Sequence, residues 1–176
     1  MKNLFKEIPV IKSDRITMRR LYDRDAKGLA ELAECEEVYR YEPTFLLEKN
    51  TGDPAELIDE MYGGDMGDSL FLGVFFGDEF CGLMELYGYR EPIHKISIGY
   101  RLLPKSWGRG IATEALNSLV DYLYTKTNIE IITASSMVEN TGSANVLRKC
   151  GFTLVAHAVE EDWGFDKPTI TDKWIK

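Results

Sequence analysis

Cysteine is scarce in this sequence. Cys35, Cys81 and Cys150 are the three cysteines in 176 residues. They are widely spaced, form no C-x-x-C pair and fit no zinc pattern, and an odd count argues against a disulfide framework. Histidine is scarcer still, with His94 and His157 alone, so no metal site is expected. No apolar run approaches the ~20 residues that cross a bilayer. Met1-Lys2-Asn3-Leu4-Phe5-Lys6 leads into no apolar signal stretch, so a cytoplasmic protein without a membrane partner is expected. Positive charge is also short. Lys plus Arg is 21 against 29 for Asp plus Glu, a net charge of -8. That balance is poor for nucleic acid, whose affinity comes from Lys and Arg on phosphates, so no nucleic-acid partner is expected. Repeats and low-complexity tracts are missing too, which excludes a solenoid. What is present is the composition of an ordered globular chain, 44% hydrophobic and 28% charged, at a length suited to a single domain over residues 1–176.

Periodicity divides the chain. Arg15 to Leu21 alternates as a strand, Asp23 offers a helix cap, and Ala26, Leu29, Ala30 and Ala33 predict an amphipathic helix over roughly 24–35. Residues 37–53 read as irregular, with Pro43 and Gly52 as breakers. Pro54 suits a first helical position, with Leu57, Ile58 and Met61 following and Gly63-Gly64 ending the helix. Ser69 to Phe76, the turn pair Gly77-Asp78 and Phe80 to Tyr87 predict a hairpin. Lys95 to Leu103 is a strand with Ile96, Ile98, Tyr100 and Leu102 on one face and Ser97, Gly99, Arg101 and Leu103 on the other. Ile111, Ala115, Leu116, Leu119, Val120 and Leu123 mark the clearest helix. Glu130 to Val138, a helix over 142–149 closed by Gly151, and strands over Phe152 to Val159 and Thr169 to Ile175 complete the reading. Antiparallel strands precede the later helices, so the expected class is mixed α/β rather than doubly wound.

Chemistry concentrates at Pro104-Lys105-Ser106-Trp107-Gly108-Arg109-Gly110, between a strand and the long helix. The first amides of a helix lack internal partners and carry partial positive charge, and glycines let backbone approach an anion closely. Arg101, Lys105, Arg109 and Lys126 outnumber Glu114 and Asp121 there. A Walker loop does not fit, because Lys105-Ser106 precedes the glycines, and a dinucleotide fingerprint does not fit, because Thr113 occupies its third small position. A plain strand-to-helix turn stays open on the glycines alone.

A second segment, Asn140-Thr141-Gly142-Ser143-Ala144-Asn145 through Lys149-Cys150-Gly151-Phe152, follows the next strand. Together the two segments resemble the GNAT superfamily of N-acetyltransferases. The first is similar to its acyl-CoA motif [Q/R]-x-x-G-x-[G/A], with Lys105 in place of Gln or Arg. The second is similar to N-x-x-[A/S]…K-x-G-F. Arg15-Ile16-Thr17-Met18-Arg19 and Ile98-Gly99-Tyr100-Arg101-Leu102 look like the ribosomal-protein alanine acetyltransferase branch.

The resemblance implies a central, mostly antiparallel twisted sheet in which two parallel strands, Lys95–Leu103 and Glu130–Val138, splay apart. It implies acetyl-CoA as cosubstrate, with pantetheine near Leu102 and Leu103, Asn140 on the pantetheine arm, and the loop Lys105, Trp107, Gly108, Arg109, Gly110, Ile111, Ala112 and Thr113 on the pyrophosphate. Asn140 also suits a helix cap. The Tyr that many members use to protonate the thiolate is replaced by Leu147, and Ser143 matches the branch's serine. A strand Glu common in the family is replaced by Ser97, which leaves Glu85 as the expected base, with Glu160, Glu161 and Asp162 behind it. Glu31 to Asp68 carries twelve carboxylates against Arg40 and Lys49, so a cationic amine acceptor is expected, a small molecule such as a polyamine or an aminoglycoside-like antibiotic amine, or a peptide or protein N-terminus. Tyr39, Tyr41, Phe45 and Tyr87 are candidates for its walls. A non-catalytic acyl-CoA sensor on the same fold and a nucleotide-binding protein are the alternatives. The assembly is expected to be monomeric or homodimeric.

Overall fold

Alternation of apolar side chains builds the sheet in this computed structural model, which describes residues 1, 4–50, 52–62 and 69–176. β1 (Ile11–Lys12) and β2 (Ile16–Arg19) precede the first helices, and β3 (Ser69–Phe76) and β4 (Glu79–Arg90) form the hairpin. β5 (Lys95–Leu102) leads into the long helix, β6 (Ile131–Met137) follows it, and β7 (Thr153–Glu161) and β8 (Thr169–Ile175) end the chain. Among the described residues the order across the eight-stranded sheet is β1-β2-β3-β4-β5-β6-β8-β7. Its pairings are antiparallel apart from the parallel β5–β6 pair. The mixed α/β class read from the sequence, mostly antiparallel with one parallel pair, is the observed one.

Helices cover both faces. α1 (Ala26–Ala33), α2 (Glu36–Tyr39), α3 (Leu47–Asn50) and α4 (Pro54–Tyr62) come before β3, and α5 (Ile111–Lys126) and α6 (Thr141–Lys149) come after β5. Leu29, Leu32, Leu57, Ile58 and Met61 pack with Phe71, Phe75 and Leu83 in one core. Ile111, Leu116, Leu119, Leu123 and Leu147 pack with Leu72, Met84, Ile96 and Ile98 in the other. β3 serves both cores, which explains why its sequence is almost continuously apolar. Truncating a fully buried leucine such as Leu116 to alanine costs about 2–5 kcal/mol.

Three expectations change. The predicted helix over 24–35 is divided into a 3-10 turn at Asp23–Asp25 and α1, which ends at Ala33 before α2 begins. Asp25 rather than Asp23 organises its start: the Asp25 carboxylate accepts from the Tyr22 N–H at 2.9 Å and pairs with Arg19 at 2.8 Å. The segment 37–53 is not wholly irregular, because α2 and α3 fold there, and α3 delivers a buried Glu48 to the sheet. β1 has no counterpart in the sequence reading, being too short to show a period. The expected stop at Gly63-Gly64 lies outside the described residues.

Candidate active site

The parallel strands part company midway. β5 and β6 pair at Lys95↔Ile131, Ile96↔Ile132 and Ser97↔Thr133, yet β5 runs on to Leu102 and β6 to Met137. At the point of divergence the Ser97 and Thr133 hydroxyls share a 2.9 Å hydrogen bond. Beyond it the β5–β6 pairing stops while β6 keeps β8 on its other edge, so the β6-facing backbone of β5 opens into a cleft. Gly82 fixes the other side of β5. Its φ is +149°, and a Cβ there would lie 2.2 Å from the Arg101 carbonyl oxygen. Only glycine lets the β4 bulge press this closely on β5.

The loop after β5 turns through left-handed glycines, with φ of +69° at Gly108 and +77° at Gly110. Trp107 is braced by its indole N–H, which donates to the Leu102 carbonyl at 2.6 Å. Among the described residues the first α5 amide with a chain acceptor is that of Glu114, bonded to Gly110 at 3.0 Å. The N–H groups of Ile111, Ala112 and Thr113 are therefore available, and the helix dipole adds partial positive charge to them. They border a cavity of about 440 Å³ that is also lined by Leu102, Trp107, Gly108, Gly110 and Asn140. Free amides at a glycine-turned helix start fit a pyrophosphate, and unpaired strand backbone fits the amides of pantetheine.

A second cavity, of about 730 Å³, is lined by residues of β3, β4, β5 and β6. Tyr41, Glu42, Tyr100, Arg101, Asn140 and Ser143 line both, so the two spaces meet at these residues. Asn140 caps α6 by accepting from the Ser143 N–H at 3.0 Å, and among the described residues its side-chain NH2 has no chain partner. The Tyr100 hydroxyl lies 2.9 Å from Ser143 Oγ and donates to the Ser143 carbonyl at 3.1 Å. Burial raises the Tyr100 pKa, with the Ser143 hydrogen bond opposing, so the phenol stays protonated.

Beneath the larger cavity lies a buried charge cluster. Arg101, 3% exposed, forms ion pairs with Glu48 and, at 3.0 Å, with Glu85. Burial works against the charge on Arg101, but Glu48, Glu85 and Glu42 together hold its pKa above the ordinary value. Tyr39 donates to Glu48 at 2.9 Å, and Ser69 donates to Glu85 at 3.1 Å. Glu42 is different: among the described residues its carboxyl has no hydrogen bond and no ion pair. Burial pushes its pKa up to about 8, with Arg101 opposing and Glu48 and Glu85 reinforcing. The wall carries five carboxylates, Glu42, Glu60, Glu85, Glu161 and Asp162, against the single guanidinium of Arg101. Tyr41, Phe45, Tyr87 and Trp163 give it an aromatic side. Thr44 and Trp163 close its rim through a 2.9 Å backbone hydrogen bond.

Of the residues expected from the sequence, Leu102, Trp107, Gly108, Gly110, Ile111, Ala112, Thr113, Asn140 and Ser143 line the smaller cavity, and Glu85 lines the larger. Leu103, Lys105 and Arg109 line neither. Leu103 is 2% exposed in the core, Lys105 pairs with Glu31 at 3.0 Å and Arg109 with Glu79 at 3.7 Å. Glu160 is exposed on β7, whereas Glu161 is held by Lys173 and by Thr171 at 2.9 Å. Of the acidic 31–68 segment, Glu42 and Glu60 face the larger cavity, and Asp65 and Asp68 lie outside the described residues. Sequence reasoning missed Tyr100, Arg101 and Glu42. The one available signal was an arginine that follows the small residues Ser97 and Gly99 on one strand face, which leaves room beside it. Among the described residues no cluster of His, Cys, Asp or Glu could hold a metal, and no helix is long and apolar enough to cross a membrane.

Comparison with known proteins agrees with this geometry. The family profile of the acetyltransferase (GNAT) domain matches residues 15–153. An uncharacterized N-acetyltransferase of Bacillus subtilis is 23% identical over 82% of this chain and 82% of that protein. The ribosomal protein uS5 alanine N-acetyltransferase of Escherichia coli is 27% identical over 84% of this chain and 80% of its own length. Among solved structures, spermidine N-acetyltransferase from Vibrio cholerae, in complex with CoA and spermine, superimposes with a TM-score of 0.76 at 20% identity, covering 93% of this chain and 96% of that one.

Proposed function

The chain belongs to the GNAT acetyltransferase family, and from that premise we propose that it is a single N-acetyltransferase domain that moves the acetyl group of acetyl-CoA to a primary amine carried by a cationic acceptor. The observation that carries the acceptor class is the wall of the larger cavity, with its five carboxylates, one guanidinium and aromatic side. Carboxylates raise the local concentration of a cation, and aromatic faces bind it once it is desolvated. The E. coli relative is an alanine N-acetyltransferase of ribosomal protein uS5, and the V. cholerae structure holds spermine, a cationic amine.

Acetyl-CoA supplies the thioester. Pyrophosphate is assigned to the N–H groups of Ile111, Ala112 and Thr113, with Gly108 and Gly110 shaping the approach. The pantetheine arm is assigned to the open edge of β5 near Leu102 and to the free NH2 of Asn140. Ser143 and Tyr100 stabilise the leaving thiolate as a pair. Tyr100 has one proton and two Ser143 oxygens within reach, so when Ser143 turns its own proton towards sulfur, Tyr100 can fill the vacated lone pair. A serine backed by a phenol is a better proton source than a serine alone. The three free thiols accord with a reducing cytoplasm, where we place the reaction.

Thermal unfolding with acetyl-CoA, CoA, ATP and NAD in parallel tests the cosubstrate. Stabilisation by the two CoA species alone is expected, about 2.7 kcal/mol at 100 times Kd. Thiol release is then followed with spermidine, a Lys-rich peptide N-terminus, an aminoglycoside and neutral amines. The cationic acceptors are expected to show lower KM, rising with salt. Equal KM for neutral amines would remove the acceptor assignment, and absence of any CoA shift would remove the cosubstrate.

A further inference from the structure

We propose that Glu42 is the general base of this enzyme, taking the proton from the acceptor's ammonium group at the meeting point of the two cavities. The inference rests on the acetyltransferase reading and adds a catalytic residue that the family's sequence motifs do not mark. The argument is geometric. The nitrogen to be deprotonated must come within bonding distance of the thioester carbon, so its base must border the acceptor space and the cosubstrate space together. Among the described residues six do so, and of these Glu42 is the single carboxylate. Glu85 borders the larger cavity alone and is occupied by Arg101 at 3.0 Å and Ser69 at 3.1 Å. Glu161 is occupied by Lys173 and Thr171. Asp162 accepts from the Gly164 N–H at 2.9 Å, and Glu60 borders the larger cavity alone.

The surroundings of Glu42 suit the task. Arg101 attracts its negative charge, Glu48 and Glu85 repel it, and the phenols of Tyr39, Tyr87 and Tyr100 feel that charge in turn. Burial, opposed by Arg101 and reinforced by Glu48 and Glu85, raises its affinity for a proton to about 8, much closer to an alkylammonium than an ordinary carboxylate stands, so the transfer is less uphill.

The protons balance. The ammonium nitrogen loses one proton to Glu42, which passes it to solvent. Its lone pair then forms the C–N bond at the thioester carbonyl, and the C–S bond breaks. The nitrogen's second proton, lost through water as the tetrahedral intermediate collapses, restores the Tyr100–Ser143 pair after that pair has protonated sulfur. One amide, one CoA thiol and one free proton result.

Glu42→Gln and Glu42→Asp test the assignment in the full-length protein. For Glu42→Gln, unchanged stabilisation by CoA is expected, with kcat for an alkylamine acceptor lowered roughly 10²–10⁴-fold. A base works deprotonated, so wild-type kcat/KM is expected to rise as pH rises through about 8, and the glutamine variant to lose that rise. Glu42→Asp should restore part of the rate, which a merely structural role would not require. Carbon-13 spectra of labelled glutamate carboxyls should show one group titrating near 8 that is missing from Glu42→Gln. A glutamine variant with wild-type kcat and pH profile, or a wild-type spectrum without that group, overturns the role of Glu42 and leaves the transferase reading standing. A wild-type protein that binds CoA but acetylates none of the amines overturns the transferase reading first, and Glu42's role with it.

Discussion

The two cavities that meet at Ser143 are made of different material. The proposed cosubstrate side is lined largely by the contiguous stretch between Leu102 and Thr113 and the start of α6, with Glu37, Val38, Tyr41 and Glu42 beside them, and it offers the main-chain N–H groups of Ile111 to Thr113. The acceptor side is mostly side chains, gathered from the loop after α2, from α4, and from β3, β4, β5, β6 and the loop after β7. On the proposed function, main-chain donors take what every reaction shares, a pyrophosphate and a pantetheine, and ask of the sequence only that glycines permit the turn. Side chains from distant segments recognise what is particular, the acceptor, through charge and aromatic faces. Removing one side chain should therefore do far more damage on the acceptor side than on the cosubstrate side.

The largest effect is expected at Arg101. It is buried with Glu48 beside the half-buried Glu85 and Glu42, and its Nη2 has no hydrogen-bond partner among the described residues. Arg101→Met would leave Glu48 buried, and Glu85 half-buried, without their counter-charge. Breaking such a cluster by removing one partner costs about 3–5 kcal/mol, which urea denaturation at neutral pH would show as a shifted midpoint at unchanged slope. Replacing Glu48 by Gln in the same variant should recover part of the loss. An Arg101→Met protein as stable as wild type would mean that the acceptor wall is not a structural unit, and the contrast between the cavities would collapse.

Next in size come Ser143 and Tyr100, which sit at the seam. Ser143→Ala and Tyr100→Phe are each expected to lower kcat about 10–100-fold while leaving stabilisation by CoA intact. If the two hydroxyls act as a pair, the double variant should be little worse than the poorer single one. Additive losses would sharpen the comparison differently, assigning Tyr100 to the acceptor side and Ser143 alone to the leaving group.

That asymmetry of material also governs what the amino-acid sequence discloses. The glycine loop, α5 and the Asn140 cap are local, so a strand, a Gly-x-Gly and an amphipathic period announce them. β3 matched its expected limits, and β5 its limits within a residue, because alternation and a flanking turn bound them. The acceptor wall was hidden because nothing local requires it. Glu48 rides on a four-residue helix that has no period of its own and whose buried acid answers Arg101 far along the chain. Glu42 looks like one acid in a solvated run until the fold encloses it. Glu85 was legible as an acid on a strand, but its engagement by Arg101 was not. Lys105, legible as a motif position, is turned to Glu31 by tertiary contact.

The smallest effect is expected on the cosubstrate side, at Gly110. Its φ is +77°, where an L side chain is strained by about 1–2 kcal/mol. Space is not the obstacle, since an added Cβ would meet nothing nearer than Arg15 Nη2 at 3.5 Å. Gly110→Ala should therefore fold, and the strain should appear where the loop must hold its shape, at the free amides of Ile111 to Thr113. A Kd for CoA raised several-fold, up to about tenfold, is expected by isothermal calorimetry; tenfold corresponds to about 1.4 kcal/mol. At saturating acetyl-CoA the acceptor KM should stay at its wild-type value. Lys105→Ala provides the contrast, because its pair with Glu31 is solvent-exposed and surface pairs contribute roughly 0–1 kcal/mol. If Lys105→Ala weakens CoA more than Gly110→Ala does, Lys105 leaves Glu31 for the phosphates on binding. The cosubstrate side would then depend on a side chain after all, and the division between main-chain and side-chain recognition would have to be redrawn there.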